Sequence, residues 1–319
     1  APFYRQIQSM GTRMDVVITG QSDQVASSAI TAIREVAERW EYMLSNYNAD
    51  SEVSRINRLA AGEPLEVSDR MRSVLNSIIG YYHRTKGFFN PFMGGVTGPS
   101  GEKKRAKQTR GSNLDPEHTL DPEPADASRI TSSGPGDLRE VRKHYPGPEG
   151  MEIINKTVRF IDERIQLDMG GFGKGLALYE IDKVLKTSEI NSAFISFGES
   201  TILGVGTHPF GDYWKVGIQH PQKEGKIVHT VYLRDQAVSV SGNTKNNASK
   251  SRQQGHIWDP QSNTFISRSS LVWVTSDNPL DAEVFSTALF AAGQENTSLL
   301  LEEEPGIEAG WIDETKQMN

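Results

Sequence analysis

The chain contains no cysteine, so disulfides, thiol nucleophiles and thiolate metal sites are closed to it. That absence suits an exported protein that avoids accidental pairing and equally suits many cytosolic ones, so it leaves the compartment open. Long apolar runs are missing too: none approaches the roughly 18 residues of a membrane-spanning helix. Positive charge is in short supply, 34 basic against 41 acidic side chains for a net charge of −7, which argues against a nucleic-acid partner. No internal repeat is visible. The chain starts at Ala1 with neither an initiator methionine nor a signal-type apolar segment. The expectation is that an N-terminal segment, with any lipid anchor it carried, was removed by processing or cloning.

What the chain has instead is a glycine-rich turn. Gln166 to Ile181 reads QLDMGGFGKGLALYEI, with an acid, glycines at 170, 171, 173 and 175, and a lysine between a short apolar run and a helix-like run. Glycines permit positive φ and leave no Cβ in the way, so amides can converge on an oxyanion or carbonyls on a cation. The common nucleotide fingerprints both fail here. A Walker A loop is broken by Asp168 and Gly175, and a dinucleotide GxGxxG starting at Gly171 is broken by Leu176. A different class of nucleotide site, or a purely structural turn, remains.

The 36% hydrophobic and 24% charged fractions are those of an ordinary globular protein, and 319 residues suffice for one large core or two modest ones. We read one domain, 1–319. Residues 13–19 read as a strand, and 24–44 carry Ile30, Ile33, Val36, Ala37, Trp40, Met43 and Leu44 at helical spacing. A second helix starts at an N-capping Ser68 and stops at Gly87, and a third runs from Pro279, behind an N-capping Asn278, to Gly293. From about Gly94 to Pro148 the chain turns rich in Gly, Pro, Ser and charge, which predicts a long surface excursion. Its Lys103, Lys104, Arg105, Lys107 and Arg110 read as a solvated loop or an anion-binding patch. Strand-like runs at 193–197, 213–218, 228–234 and 271–275 are mostly joined by turn-like segments. They predict an antiparallel sheet backed by a few long helices rather than a doubly wound parallel one.

Three constellations could carry chemistry. In the apolar helix after Pro279, Glu283 and Thr287 lie four apart on one stripe. A buried carboxylate needs a partner, and a hard cation such as Mg²⁺ would accept one carboxylate and one hydroxyl oxygen. Alternatively Glu283 reaches solvent and Thr287 bonds its own helix backbone. GHIWDP, Gly255 to Pro260, places His256 and Asp259 in a strand-and-turn unit, where His256 is either a proton acceptor or structural. Just upstream, Ser241 to Asn247 form a turn-prone polar loop, open to phosphate or merely loop. Tyr47 stands where a helix ends, as a stacking face or a packed ring, while Ser51, Glu52 and Asn57 either cap the next turn or meet a nucleotide edge.

Together these segments resemble the ApbE family, the FAD:protein FMN transferases, in order along nearly the whole chain. MGT at Met10 looks like the family's opening motif, and NYNADSEVSRIN is similar to its S-x-Y-x-P-x-S-E-h-x-x-h-N segment (h, apolar), with Ala49 where Pro is usual. LDMGGFGKG resembles LDLGGIAKG, ISFGES an IGGD-like turn, VSVSGN a TSG turn, GHIWDP the H-I-x-D-P segment, and AEVFSTALFAAG the A-D-A-L-x-T-A-L-x-x-x-G helix. The resemblance implies an α/β fold in the α+β sense, T-fold-related, with largely antiparallel sheets backed by long helices and FAD in a cleft. It implies Mg²⁺ held by Glu283, Thr287 and the carbonyl of Gly173. It sets Met10, Tyr47, Asn57, Gly170, Gly171, Lys174, Gly198, Ser241, Gly242 and Asp259 around FAD, and makes His256 the base.

The reaction so implied is attack of a target-protein threonine hydroxyl on the FMN phosphorus of FAD, with AMP leaving. Acceptors in this family are flavin-carrying subunits of membrane redox pumps, which implies a periplasmic or cell-envelope location. Departures from the pattern are Glu283 for Asp, Gly173 for Ala, Tyr179 for Asp after the glycine turn and Asn90 for an Asp. A non-catalytic FAD-binding protein and a Mg²⁺-dependent FAD hydrolase are the competing expectations.

Overall fold

The computed structural model describes residues 1–97, 146–223, 225–243, 257–259, 264–266 and 268–313. Strands β1 (Phe3–Ser9) and β2 (Thr12–Ile18) form a hairpin whose two-residue turn, Met10 and Gly11, has both residues at positive φ, 50° and 69°. Turns of that kind match the right-handed twist of paired strands. Short strands β3 (Pro64–Glu66), β4 (Met151–Ile154) and β5 (Thr157–Phe160) make a small sheet of order β3-β5-β4. The main sheet adds β6 (Ser192–Phe197), β7 (Thr201–Gly206), β10 (Gln236–Gly242), β13 (Ser270–Ser276) and β14 (Ile307–Asp313). Its order is β1-β2-β6-β7-β10-β13-β14, and every pairing is antiparallel, as predicted, although only β1–β2 and β6–β7 are joined by short turns.

Period-two alternation divides the sheet into two faces. Met14, Val16, Ile18, Ile195, Phe197, Leu203, Val205, Val272 and Val274 enter the large core shared with the helices. Their neighbours Val17, Phe194, Ile202, Val238, Val240, Leu271 and Trp273 turn the other way. There they meet Trp214, Val216, Ile218, Val231 and Leu233 of a second hairpin, β8 (Trp214–Gln219) and β9 (Ile227–Leu233). Two-residue strands β11 (Trp258–Asp259) and β12 (Thr264–Phe265) pair beside the sheet.

The helices follow their predicted signals. Helix α1 (Asp23–Leu44) is capped by Ser22, α2 (Glu52–Ile56) by Ser51 and α3 (Asp69–Arg84) by Ser68, each hydroxyl accepting from an amide of the first turn. The predicted stop at Gly87 is part of a left-handed exit, with Gly87 at φ 82° and its N–H donating to the Tyr82 carbonyl. Helix α4 (Gly173–Thr187) follows the glycine turn. Helix α5 (Pro279–Ala292) starts behind Asn278, which caps the Leu280 amide, and ends before Gly293 at φ 91°. It is buried almost all round, as its composition predicted. At its C-terminus Arg268 Nη2 donates to the carbonyls of Phe290 and Ala291, closing orphan acceptors at the negative end of the helix dipole. Burial pulls that guanidinium's pKa below its ordinary value. Most of the predicted excursion, with its basic cluster Lys103 to Arg110, lies outside the described residues.

Candidate active site

One end of the main sheet, the N-terminus of α4 and the middle of α5 enclose a cleft of about 480 Å³. The β1–β2 turn contributes Met10, the turn before β7 contributes Gly198 and Ser200, and the end of β10 contributes Ser241 and Gly242. Opposite them stand Gly170, Gly171 and Lys174 of the glycine turn, and Glu283 and Thr287 of α5. The sequence therefore predicted residues from five segments, far apart in the chain, that the fold brings to a single cavity. The positive end of the α4 dipole lies at this cavity, a favourable place for an anion.

Two of the glycines set how closely α4 approaches α5. A Cβ on Gly171, which sits at φ 71°, would lie 2.7 Å from Thr287 Oγ1, and one on Gly175 would lie 2.7 Å from Glu283 Cβ and 3.0 Å from Leu280 Cα. Real Cβ atoms do not sit that close, so only glycine permits this packing. The resemblance set Gly171 beside FAD, and the residues alone left the turn open as a ligand site or a structural turn. The structure adds a task for both glycines, the close seating of one helix on the other.

At the contact Lys174 Nζ donates to Glu283 Oε1 at 2.7 Å. Glu283 is only 3% exposed, so its charge needs compensation, and the ammonium supplies it. Its other oxygen, Oε2, accepts from the Thr201 hydroxyl. From Thr201 a row of hydroxyls continues under the sheet: Thr201 to Ser239 at 3.3 Å, Ser239 to Ser286 at 3.0 Å, and Ser286 to Ser241 at 2.9 Å, ending at the cleft wall. Thr201, Ser239 and Ser241 occupy the helix-facing positions of β7 and β10 where aliphatic residues stand elsewhere. The helix-facing side of these two strands is thus polar where the buried carboxylate arrives.

This arrangement removes one of the two alternatives for Glu283: the carboxylate does not reach solvent, and its partner in the structure is the Lys174 ammonium. Thr287 does bond its own helix, its hydroxyl donating to the Glu283 carbonyl at 3.2 Å. Among the described residues no group of three or more His, Cys, Asp and Glu could hold a metal ion. With one carboxylate already shared between an ammonium and a hydroxyl, the donor set does not fit Mg²⁺.

A model of the ApbE family matches residues 10–311. The chain belongs to the ApbE family. The FAD:protein FMN transferase of Treponema pallidum is 26% identical over 307 residues, covering 91% of this chain and 79% of the relative. That of Salmonella typhimurium is 22% identical over 300 residues, covering 93% and 80%. Among solved structures, the flavin transferase ApbE from Vibrio cholerae matches with a TM-score of 0.74 at 21% identity, covering 99% of this chain and 94% of that one. The apo form of flavinyl transferase ApbE from Pseudomonas stutzeri matches at 0.72 and 22%, covering 99% and 92%. The ApbE fold, mixed helices with antiparallel sheets, is therefore the fold of this chain.

Among the described residues, Tyr47, Asn57 and Asp259 of this ApbE-family chain do not line the cleft. Tyr47 is 83% exposed, its ring out of the core as one reading had it. With Asn57 it borders a smaller cavity of about 220 Å³, together with Arg58 and Gln166. Asn57 spends its amide on the backbone: Nδ2 donates to the Leu167 carbonyl and to Asn46 Oδ1, and Oδ1 accepts the Leu167 N–H at 2.6 Å. It therefore positions the segment leading into the glycine turn. Ser51 caps α2, and Glu52 accepts from the Ser68 amide and hydroxyl. Asn90, at a departure from the family pattern, lines the cleft, accepting from the Phe92 amide and donating to the Pro146 carbonyl. Asp259 lies on β11, whose neighbours Ile257 and Trp258, rather than Asp259 itself, line the cleft. His256 and the loop residues Thr244 to Asn247 lie outside the described residues. Sequence reasoning missed Thr201, Ser239 and Ser286. The signal was there: Ser239 and Ser241 alternate on one strand, and Ser286 stands three residues after Glu283.

Proposed function

We propose that this protein transfers the FMN moiety of FAD to a threonine hydroxyl of an acceptor protein, releasing AMP. The observation that carries the reading is the single cleft. In a chain matched by the family model over residues 10–311, it gathers the glycine turn, the α4 N-terminus, Lys174 and the β10 end. Relatives along nearly its full length are named FAD:protein FMN transferase.

In this reading the FAD pyrophosphate lies against the positive end of α4, with Lys174 as a fixed cation beside it. The acceptor oxygen forms a bond to the FMN phosphorus as the bond from that phosphorus to the bridging oxygen breaks. AMP leaves with the bridging oxygen. The hydroxyl proton passes to His256, the base assigned by resemblance. Glu283 holds Lys174 in place, and the close seating of α4 on α5 fixes both. Mg²⁺ has no step in this account, because Glu283 is engaged by Lys174 and Thr201. A threonine on a flavin-carrying subunit of a membrane redox pump, and a location in the periplasm or cell envelope, belong to the same proposal and rest on resemblance.

The test is to incubate the protein with FAD and such a subunit and to follow the nucleotides. Equimolar AMP with no free FMN supports transfer. AMP together with free FMN means hydrolysis, and unchanged FAD that nevertheless binds means a binding protein. His256→Ala should retain FAD binding and lose AMP release, and undiminished release from that variant would remove the base assignment.

A further inference from the structure

We propose that the Lys174 ammonium, held by Glu283, takes the place of a divalent cation at the FAD pyrophosphate, so that this chain binds FAD without Mg²⁺. The inference rests on FAD being the ligand of the cleft. It starts from the charge balance there. Glu283 and Asp168 are the acids lining the cavity among the described residues. Asp168 Oδ1 accepts the Gly170 amide at 2.9 Å, within its own turn. Glu283 has an ammonium on one oxygen at 2.7 Å and a hydroxyl on the other. A Mg²⁺ ion on this carboxylate would have to displace the ammonium from Oε1 or the Thr201 hydroxyl from Oε2.

Lys174 is suited to the substitution. Its side chain is 26% exposed and lines the cleft, while its partner is 3% exposed. An ammonium has three donors, and Glu283 uses one, which anchors the nitrogen while others can meet a phosphate oxygen. The length of Glu283 matters. An aspartate at 283 would hold its carboxylate about 1.5 Å farther from the ammonium, one carbon–carbon bond. That gap would free a carboxylate for a small hard cation.

The experiment measures FAD affinity of the purified protein by flavin fluorescence, in excess EDTA and in millimolar MgCl₂, with calorimetric titration of MgCl₂ into the FAD-loaded protein. The native protein should bind FAD with less than about threefold difference between the two media and take up no stoichiometric Mg²⁺. Glu283→Asp should lose about tenfold or more in EDTA and recover it in Mg²⁺. Lys174→Met should behave likewise if it folds. The double variant Lys174→Met with Glu283→Gln leaves no buried charge unpaired, and it should fold, by circular dichroism, yet bind FAD weakly in both media. A gain of about tenfold or more from Mg²⁺ in the native protein, or stoichiometric uptake, would overturn the inference while leaving FAD as the ligand. A Glu283→Asp variant indifferent to Mg²⁺ would overturn the role given to the carboxylate. Absence of FAD binding in either medium would overturn the transferase reading, and this inference with it.

Discussion

Adding one methyl group at Gly175 should destabilise the protein, although the residue lies in the first turn of a helix where alanine is ordinarily the better choice. Helix propensity favours alanine over glycine by about 1 kcal/mol. Against that gain, the new Cβ would sit 2.7 Å from Glu283 Cβ and 3.0 Å from both Leu280 Cα and the Pro279 carbonyl oxygen. Carbon atoms rest at about 3.5 Å or more, so α4 and α5 must part by about 0.8 Å. The obstructing atoms are backbone and Cβ rather than the ends of flexible side chains, which puts the cost at the top of the overpacking range, about 3 kcal/mol. The net loss is therefore about 2 kcal/mol. Gly80 in α3 supplies the control: a Cβ there meets nothing within 4 Å, and Gly80→Ala should stabilise by about 0.4–1 kcal/mol. Urea unfolding with both variants at unchanged slope reads the two signs directly. Gly175→Ala should also bind FAD more weakly, since the displacement separates Lys174 from Glu283. A Gly175→Ala protein as stable as the parent would refute the close-seating argument.

Thr201→Val removes the hydroxyl that donates to Glu283 and leaves shape almost unchanged, so it should cost about 1.5–3 kcal/mol in urea unfolding, the range for a hydrogen bond to a charged group. A neutral result would mean that Lys174 alone compensates the carboxylate. Asn57→Ala strands the Leu167 N–H and C=O, and should lower stability by about 1–3 kcal/mol and weaken FAD binding together. Loss of FAD binding at full stability would instead make Asn57 a direct contact. Tyr47→Ala should leave the unfolding midpoint unmoved, because the ring is 83% exposed, while FAD affinity falls if the ring stacks on the flavin. Unchanged affinity would remove Tyr47 from the site.

The helices were legible because each carried its own punctuation. Ser68 and Asn278 announced starts and Gly293 a stop, and in α1 every apolar residue read at helical spacing is buried, with Ala26 and Ala29 extending that face. The antiparallel pairing was expected from turn-like joins, yet of the main sheet's neighbours only β1–β2 and β6–β7 are joined by short turns. Strands β7 and β10 were harder to see. TILGVG carries glycines that blur its period, and QAVSVSG puts hydroxyls on the helix-facing side, where an aliphatic residue would have marked the core. Those hydroxyls continue a row that starts at Glu283, a residue distant in sequence, and local pattern holds no record of such a partner. The same holds for Lys174. By resemblance it stood beside FAD, and only the packing of α4 on α5 showed that it also neutralises the acid predicted to hold a metal.

Intact mass of a flavin-carrying acceptor subunit, recorded before and after incubation with this protein and FAD, tests the central claim most directly. The account predicts a gain of one FMN joined through a phosphoester, located on a threonine by peptide mapping and absent when that threonine is changed to alanine. An acceptor of unchanged mass, in a reaction where the protein demonstrably binds or cleaves FAD, would contradict it.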